Sequence, residues 1–224
     1  MRFLLGLVVL FFASTILAVV LLKWVPVYYT PLMFSRLFDQ KSEGKDMKLS
    51  HSWVPLASIS ENLPLAVIAS EDQLFMDHNG FDFDQINKAI DEANTGKRNR
   101  GASTISQQTA KNVFLWQGHS WIRKGLEAYF TLLIEWVWGK ERIMEVYLNS
   151  IEMGDGIYGA QAVAQEHFGK DASRLTRSEA ATIAATLPNP IKRNSAHPSA
   201  YVVKRRKQIL HQMRNIKNPH LGIK

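Results

Sequence analysis

The chain has 224 residues, 46% of them apolar and 21% charged, and 27 Lys and Arg against 20 Asp and Glu leave a net charge of +7. That mix is too apolar for a disordered chain, and the length allows one domain, alone or with an appendage. With no cysteine, disulfide frameworks, thiolate metal sites and thiol nucleophiles are excluded, while the compartment stays open.

Phe3 to Leu22 carries no charge, and its only polar or weak members are Gly6, Ser14 and Thr15. Such a run, at ~1.5 Å per residue, spans ~30 Å, the hydrocarbon thickness of a bilayer. The apolar part of a cleaved signal peptide is shorter, roughly 7–15 residues, and is followed by a small-residue cleavage site. Here Lys23, Trp24, Tyr28 and Tyr29 follow instead, and the aromatic three suit the headgroup belt. Residues 1–23 are therefore predicted to be an uncleaved transmembrane anchor. Arg2 on one side and Lys23 on the other leave its orientation open. Residues 24–50 read as a membrane-proximal stalk and residues 51–224 as one compact domain.

That domain reads as all-α, since no stretch alternates apolar and polar residues with β-branched enrichment. Asp82 with Gln85 has the spacing of a capping box. Ile86, Ala89, Ile90 and Ala93 then share one helix face, with Gly96 as the stop. Lys97 to Gly101 is a basic loop. Thr104 with Gln107 is a second capping box, opening a helix to about Leu115. Ser120 caps a longer helix carrying Leu126, Phe130, Leu133, Ile134 and Val137, and Lys140 to Asn149 continues it. Gly154, Gly156 and Gly159 mark a flexible turn. Thr176 with Glu179 caps a helix ending at Pro188, and Ser199 caps the last one.

Three polar constellations offer chemistry, although each alone also fits a solvated helix face. Glu71-Asp72 ends the apolar run Leu65 to Ala69. A carboxylate there, partly desolvated, would have its pKa raised toward the range useful for proton transfer. Gly101 to Asn112 pairs a glycine at a helix start, whose free N–H groups suit an anion, with Gln108, Lys111 and Asn112 on one face. Arg123, Lys124 and Glu127 lie within one turn of a helix and would hold a carboxylate beside two cations. His78, His119, His167 and His197 lack metal-ligand spacing. The tryptophans at 116, 121, 136 and 138 read as core or membrane-facing. From Lys192 to Lys224 there are nine Lys or Arg and no acid; beside a membrane anchor, anionic lipid or a lipid diphosphate is the nearer partner than nucleic acid.

These segments together resemble the peptidoglycan glycosyltransferase family (glycosyltransferase family 51), and closely its single-domain branch, the monofunctional biosynthetic transglycosylases. The motifs stand in the family's order. Glu71-Asp72-Gln73-Leu74-Phe75 comes first, with His78 and Gly80-Phe81-Asp82. Gly101-Ala102-Ser103-Thr104-Ile105-Ser106-Gln107-Gln108 follows, with Ala110-Lys111-Asn112. Then come Arg123-Lys124 with Glu127, Lys140-Glu141-Arg142-Ile143 with Glu145 and Tyr147-Leu148-Asn149, and Ala184 to Pro188. The likeness covers about residues 55 to 214. Ala102, Ser106 and Thr109 depart from the family's usual Gly, Thr and Leu.

The resemblance implies a lysozyme-like helical glycosyltransferase domain behind one N-terminal transmembrane helix. It implies polymerisation of lipid II into β-1,4 glycan strands, with inversion and release of undecaprenyl diphosphate. Glu71 and Glu127 are the implied catalytic residues, with Glu71 the general base. Ser103, Thr104, Gln107, Gln108, Lys111, Asn112, Arg123 and Lys124 are the implied substrate-binding residues. No cofactor is required on this reading, and Mg or Mn at the diphosphate is compatible with phosphate chemistry. The implied partners are lipid II, the undecaprenyl-diphosphate-linked glycan, the membrane, and other cell-wall synthesis or division proteins, with no nucleic acid. The implied location is the bacterial inner membrane, N-terminus cytoplasmic and domain periplasmic, with no transpeptidase domain in a chain ending at Lys224. A lytic hydrolase of similar fold and a non-catalytic cell-wall scaffold are the rival expectations.

Overall fold

The computed structural model describes residues 2–95, 101–118 and 120–216. Gly96, the loop from Lys97 to Arg100, His119, Lys217 and Lys224 lie outside the described residues. Helix α1 (Arg2–Leu21) carries no charge after Arg2 and is long and apolar enough to cross a membrane. Most of its side chains are exposed, and Val19 is buried.

The segment predicted as a stalk holds a helix instead. Thr30 accepts the amide of Met33 and Pro31 stands at the first turn, the residue types that start a helix. Helix α2 (Pro31–Ser42) follows, with Leu32 and Met33 packed against Tyr158. Its short amphipathic stripe escaped the sequence reading because Arg36, Asp39 and Lys41 dominate the composition there.

Helix α3 (Asn62–Glu71) is the axis of the core. Leu63, Pro64, Ala66, Val67, Ile68 and Ala69 are all buried, and a helix apolar all round belongs inside. Helix α4 (Phe83–Asn94) starts on Asp82, whose carboxylate accepts the Gln85 amide at 2.9 Å. Helix α5 (Ile105–Phe114) opens on the Thr104–Gln107 capping box, with both reciprocal bonds made. Helix α6 (Trp121–Val137) is capped by Ser120, and α5 packs on it through Phe114 and Phe130, stacked at 4.5 Å.

Helix α7 (Gly139–Ser150) does not continue α6. Gly139 takes φ +73°, a left-handed conformation that glycine adopts without a Cβ clash, and the chain turns there. Helices α8 (Gly159–Phe168), α9 (Arg177–Thr186) and α10 (Ala200–Asn215) complete the domain. Helix α9 brings four buried alanines, Ala180, Ala181, Ala184 and Ala185, to its contacts with α3 and α10, and these small side chains let the axes approach.

The expectation of a sheet-free domain needs correction. Strands β1 (Ser50–His51), β2 (Glu152–Gly154) and β3 (Ile157–Tyr158) form a small sheet in the order β1-β3-β2, parallel then antiparallel. Strands of two or three residues are too short to show an alternating period. The glycine-rich stretch is accordingly a fixed hairpin: Gly156 at φ +67° passes so close to Lys48 O that a Cβ would lie 2.5 Å from it.

Candidate functional site

Glu71 sits at the last residue of the buried helix α3, where the apolar run delivers a carboxylate to the edge of a cleft of about 700 Å³. Gln108 Nε2 donates to Glu71 Oε2 at 3.2 Å, and Ser70 Oγ donates to Glu71 Oε1 at 3.0 Å. Tyr147 OH donates to Gln108 Oε1 at 3.3 Å, fixing that amide's orientation from behind. Burial raises the Glu71 pKa above its ordinary value; the bonds from Gln108 and Ser70 and the Arg205 charge pull the other way without cancelling it. A largely buried carboxylate with a raised pKa at a cleft wall has the properties of a general base or acid.

The neighbouring Asp72 is structural. Its buried carboxylate accepts the Ile105 amide at 3.0 Å and the His78 Nε2 proton at 2.9 Å. His78 Nδ1 in turn accepts the Gly80 amide at 3.1 Å, and Thr104 Oγ1 donates to Gly80 O at 2.7 Å. This chain of bonds ties the end of α3 to the start of α5, so Glu71 and Gln108 meet at fixed separation.

Ser103, Thr104 and Gln108 line the cleft with Glu71. Ser103 is exposed, whereas Thr104 and Gln107 are buried and engaged with each other in the capping box. Arg205 also lines the cleft and donates to Ser70 O at 3.3 Å. The basic run Lys204 to Lys207 was its only signal in the sequence, and that run carried no hint of which member turns inward. Ser70 and Tyr147 likewise carried no chemical signature of their own.

Arg123, Lys124 and Glu127 form a second cluster on α6. Arg123 NH1 donates to Glu127 Oε2 at 3.1 Å and Lys124 Nζ donates to Glu127 Oε1. Glu127 is 3% exposed and Arg123 is buried, while the Lys124 side chain is 47% exposed. Arg123 Nε is buried and has no hydrogen-bond partner among the described residues. Lys111 belongs to this cluster electrostatically. Burial lowers its pKa most; Glu127 raises it, and Arg123, Lys124 and Arg36 lower it further. Asn112 is buried in α5.

The lining of the Glu71 cleft covers only part of the expected site residues. It includes Glu71 and none of Lys111, Asn112, Arg123, Lys124 and Glu127. Helix α5 joins the two clusters instead, with Gln108 on Glu71 and Lys111, about one turn on, in the field of Glu127. Among the described residues no group of three or more His, Asp or Glu is arranged to hold a metal ion. Glu127, the carboxylate of the cationic cluster, already has both oxygens bonded to cations, so this donor set does not fit a protein-held divalent ion.

The molecule is thus a mostly helical domain with one long apolar N-terminal helix, a carboxylate at a cleft wall and a cationic cluster on α6. The sequence model of the family described as Transglycosylase matches residues 40–214, and the chain belongs to that family. It is 60% identical over 213 residues to a biosynthetic peptidoglycan transglycosylase of Bacteroides thetaiotaomicron, covering 95% of this chain and 86% of the relative. Proteins of the same description from Pseudomonas entomophila (52% identity, 93% and 89% covered) and Caulobacter vibrioides (50%, 92% and 87%) are similar over the same span. The match begins at residue 40, inside the segment read as a stalk and within the last turn of α2.

Proposed function

We propose that this enzyme is a peptidoglycan glycosyltransferase that polymerises lipid II. The acceptor 4-hydroxyl attacks the anomeric carbon of the donor sugar. The new C–O bond forms as the bond to the diphosphate oxygen breaks, with inversion, and undecaprenyl diphosphate leaves. Glu71 accepts the hydroxyl proton. The observation that carries this reading is the Glu71 carboxylate, raised in pKa by burial and held by Gln108 at the wall of an open cleft.

The leaving diphosphate is assigned to the Lys111, Arg123 and Lys124 cluster. Cations aimed at developing negative charge stabilise the transition state more than the ground state. The Nε of Arg123, without a partner among the described residues, is a donor suited to a phosphate oxygen. Glu127 holds the two cations in register. Ser103 and Gln108 are assigned to sugar contacts.

Both substrates hang on lipid, which calls for a site at the membrane surface. Helix α1 supplies the anchor, and α6 beside it exposes Trp121 (92%), Ile122, Leu132 and Trp136 (86%), an amphipathic stripe suited to the lipid interface. The location proposed is the bacterial inner membrane, with the domain periplasmic. The test incubates the full-length protein with purified lipid II and, separately, with intact sacculi. Glycan polymer from the first and no fragments from the second is the expected result; fragments without polymer would make the protein a lytic enzyme.

A further inference from the structure

The last carbonyls of a helix have no partner within it. In α1 the amides of Lys23, Trp24 and Val25 turn back to Val20 and Leu21. Among the described residues no backbone N–H reaches Leu22 O or Val25 O. Arg142 of α7, 120 residues on, satisfies both. Its Nε and NH2 donate to Leu22 O at 3.2 and 2.8 Å, and NH2 also donates to Val25 O at 2.6 Å.

The guanidinium is held from the domain side as firmly. NH1 donates to Glu145 Oε2 at 2.5 Å, and Glu145 Oε1 accepts the Leu56 amide at 3.0 Å. The Arg142 Cζ lies 5.1 Å from the centroid of the Trp53 ring, in cation–π range. All three nitrogens of one planar fork are therefore engaged, which a lysine cannot reproduce. A cation at a helix C-terminus is also favoured by the helix dipole. Two further bonds climb the same face of the anchor: Thr15 Oγ1 with Tyr129 OH at 2.9 Å, and Trp138 Nε1 to Val19 O at 2.7 Å. From Thr15 to Val25 these rungs cover roughly 15 Å of anchor at helical rise.

We propose that Arg142 is a positioning residue that clamps the end of the membrane helix to the catalytic domain, so that the cleft is held at one height and tilt above the bilayer. Arg142 touches neither the cleft nor the cationic cluster, so it acts on substrates only through that orientation. A hinge at residues 22–26 would let the domain wander over lipid-linked ends that must enter at a fixed depth. The clamp removes that hinge. This inference rests on the lipid-linked substrate proposed above.

The native chain has no cysteine, so Phe3→Cys and Asp155→Cys place two spin labels cleanly, one on the anchor and one on the domain. In nanodiscs the parent should give one narrow distance distribution. Arg142→Ala and Arg142→Lys should both broaden it, and Trp138→Phe, which removes the Val19 bond and trims the packing on Phe114, should broaden it less. Polymerisation of long-chain lipid II in the bilayer should fall about tenfold for Arg142→Ala, a modest price for lost orientation. Turnover of a short-chain lipid II analogue in detergent should stay near the parent's. A distribution that stays narrow, or equal loss on both substrates, would overturn the clamp. A parent enzyme that polymerises neither substrate would instead overturn the proposed function, whatever the distances.

Discussion

The Asp72 carboxylate accepts the backbone N–H of Ile105 at 3.0 Å, and through that bond the helix carrying Glu71 is pinned to the helix carrying Gln108. The same carboxylate accepts a hydrogen bond from His78 Nε2, so one buried acid serves two donors. Replacing Asp72 with Ala leaves both unpaired and should destabilise the protein by about 2–4 kcal/mol. Asn keeps one acceptor and should lose less. Denaturant unfolding of the two variants measures the difference, and equal losses would contradict the pinning role.

Glu71→Gln should reduce lipid II turnover by about 10²–10⁴-fold, the range general-base catalysis contributes. A protein acting only as a scaffold would keep its cellular activity with this change. Circular dichroism and thermal unfolding should show the fold retained, because Gln still offers an acceptor to Gln108.

The raised pKa of Glu71 sets the sign of two pH effects. Turnover requires the ionised base, so the acid limb of kcat/KM should inflect above the ordinary carboxylate value of 4.5. For stability, a folded-state pKa above the unfolded one means the native state binds the proton more tightly. Its stabilising contribution is present below 4.5 and is lost as pH rises through the folded pKa. Glu71→Gln lacks that loss, so its stability relative to the parent should improve across that window and level off above it. Urea midpoints measured from pH 4 to 8, about the span in which such a group titrates, test both the sign and the window.

Lys124 and Glu127 share one ion pair yet should respond differently. Lys124 is half exposed, so Lys124→Ala should change stability by less than about 1 kcal/mol. If it meets the diphosphate, turnover should still fall by about 10²-fold. Glu127→Ala leaves the buried Arg123 charge uncompensated and should lower stability by about 3–5 kcal/mol. Parallel melting curves and polymerisation rates separate the two effects.

Gly156→Ala tests the sheet that the sequence hid. A Cβ there would meet Lys48 O at 2.5 Å at φ +67°, so strand β1 must move or the backbone must strain. A loss of at least about 2 kcal/mol is expected, against little change for the same substitution at the open Gly125 position, apart from its gain in helix propensity.

Helix starts were legible because capping is local: Thr104 with Gln107 and Thr176 with Glu179 make the bonds their spacing announces. The long N-terminal helix was legible because an uncharged apolar run of twenty residues has the length and composition of a membrane span. The candidate acid Glu71 was legible as the polar end of an apolar run. Arg205, Tyr147 and Arg142 were not, because each acts on a partner at least 39 residues away, and no local period encodes that.

What the chain order alone determined is where most of the helices start, where the long apolar helix lies and which residue types are present for proton transfer and anion binding. These follow from 3.6-residue periodicity, caps and the cost of charge in lipid. Tertiary packing alone decided that α2 folds back onto the domain and that α5 sets Gln108 against Glu71 and Lys111 in the field of Glu127. It also decided that one arginine closes the end of the anchor. Those outcomes depend on which buried surfaces and unpaired polar groups find each other in three dimensions, and sequence spacing does not measure that.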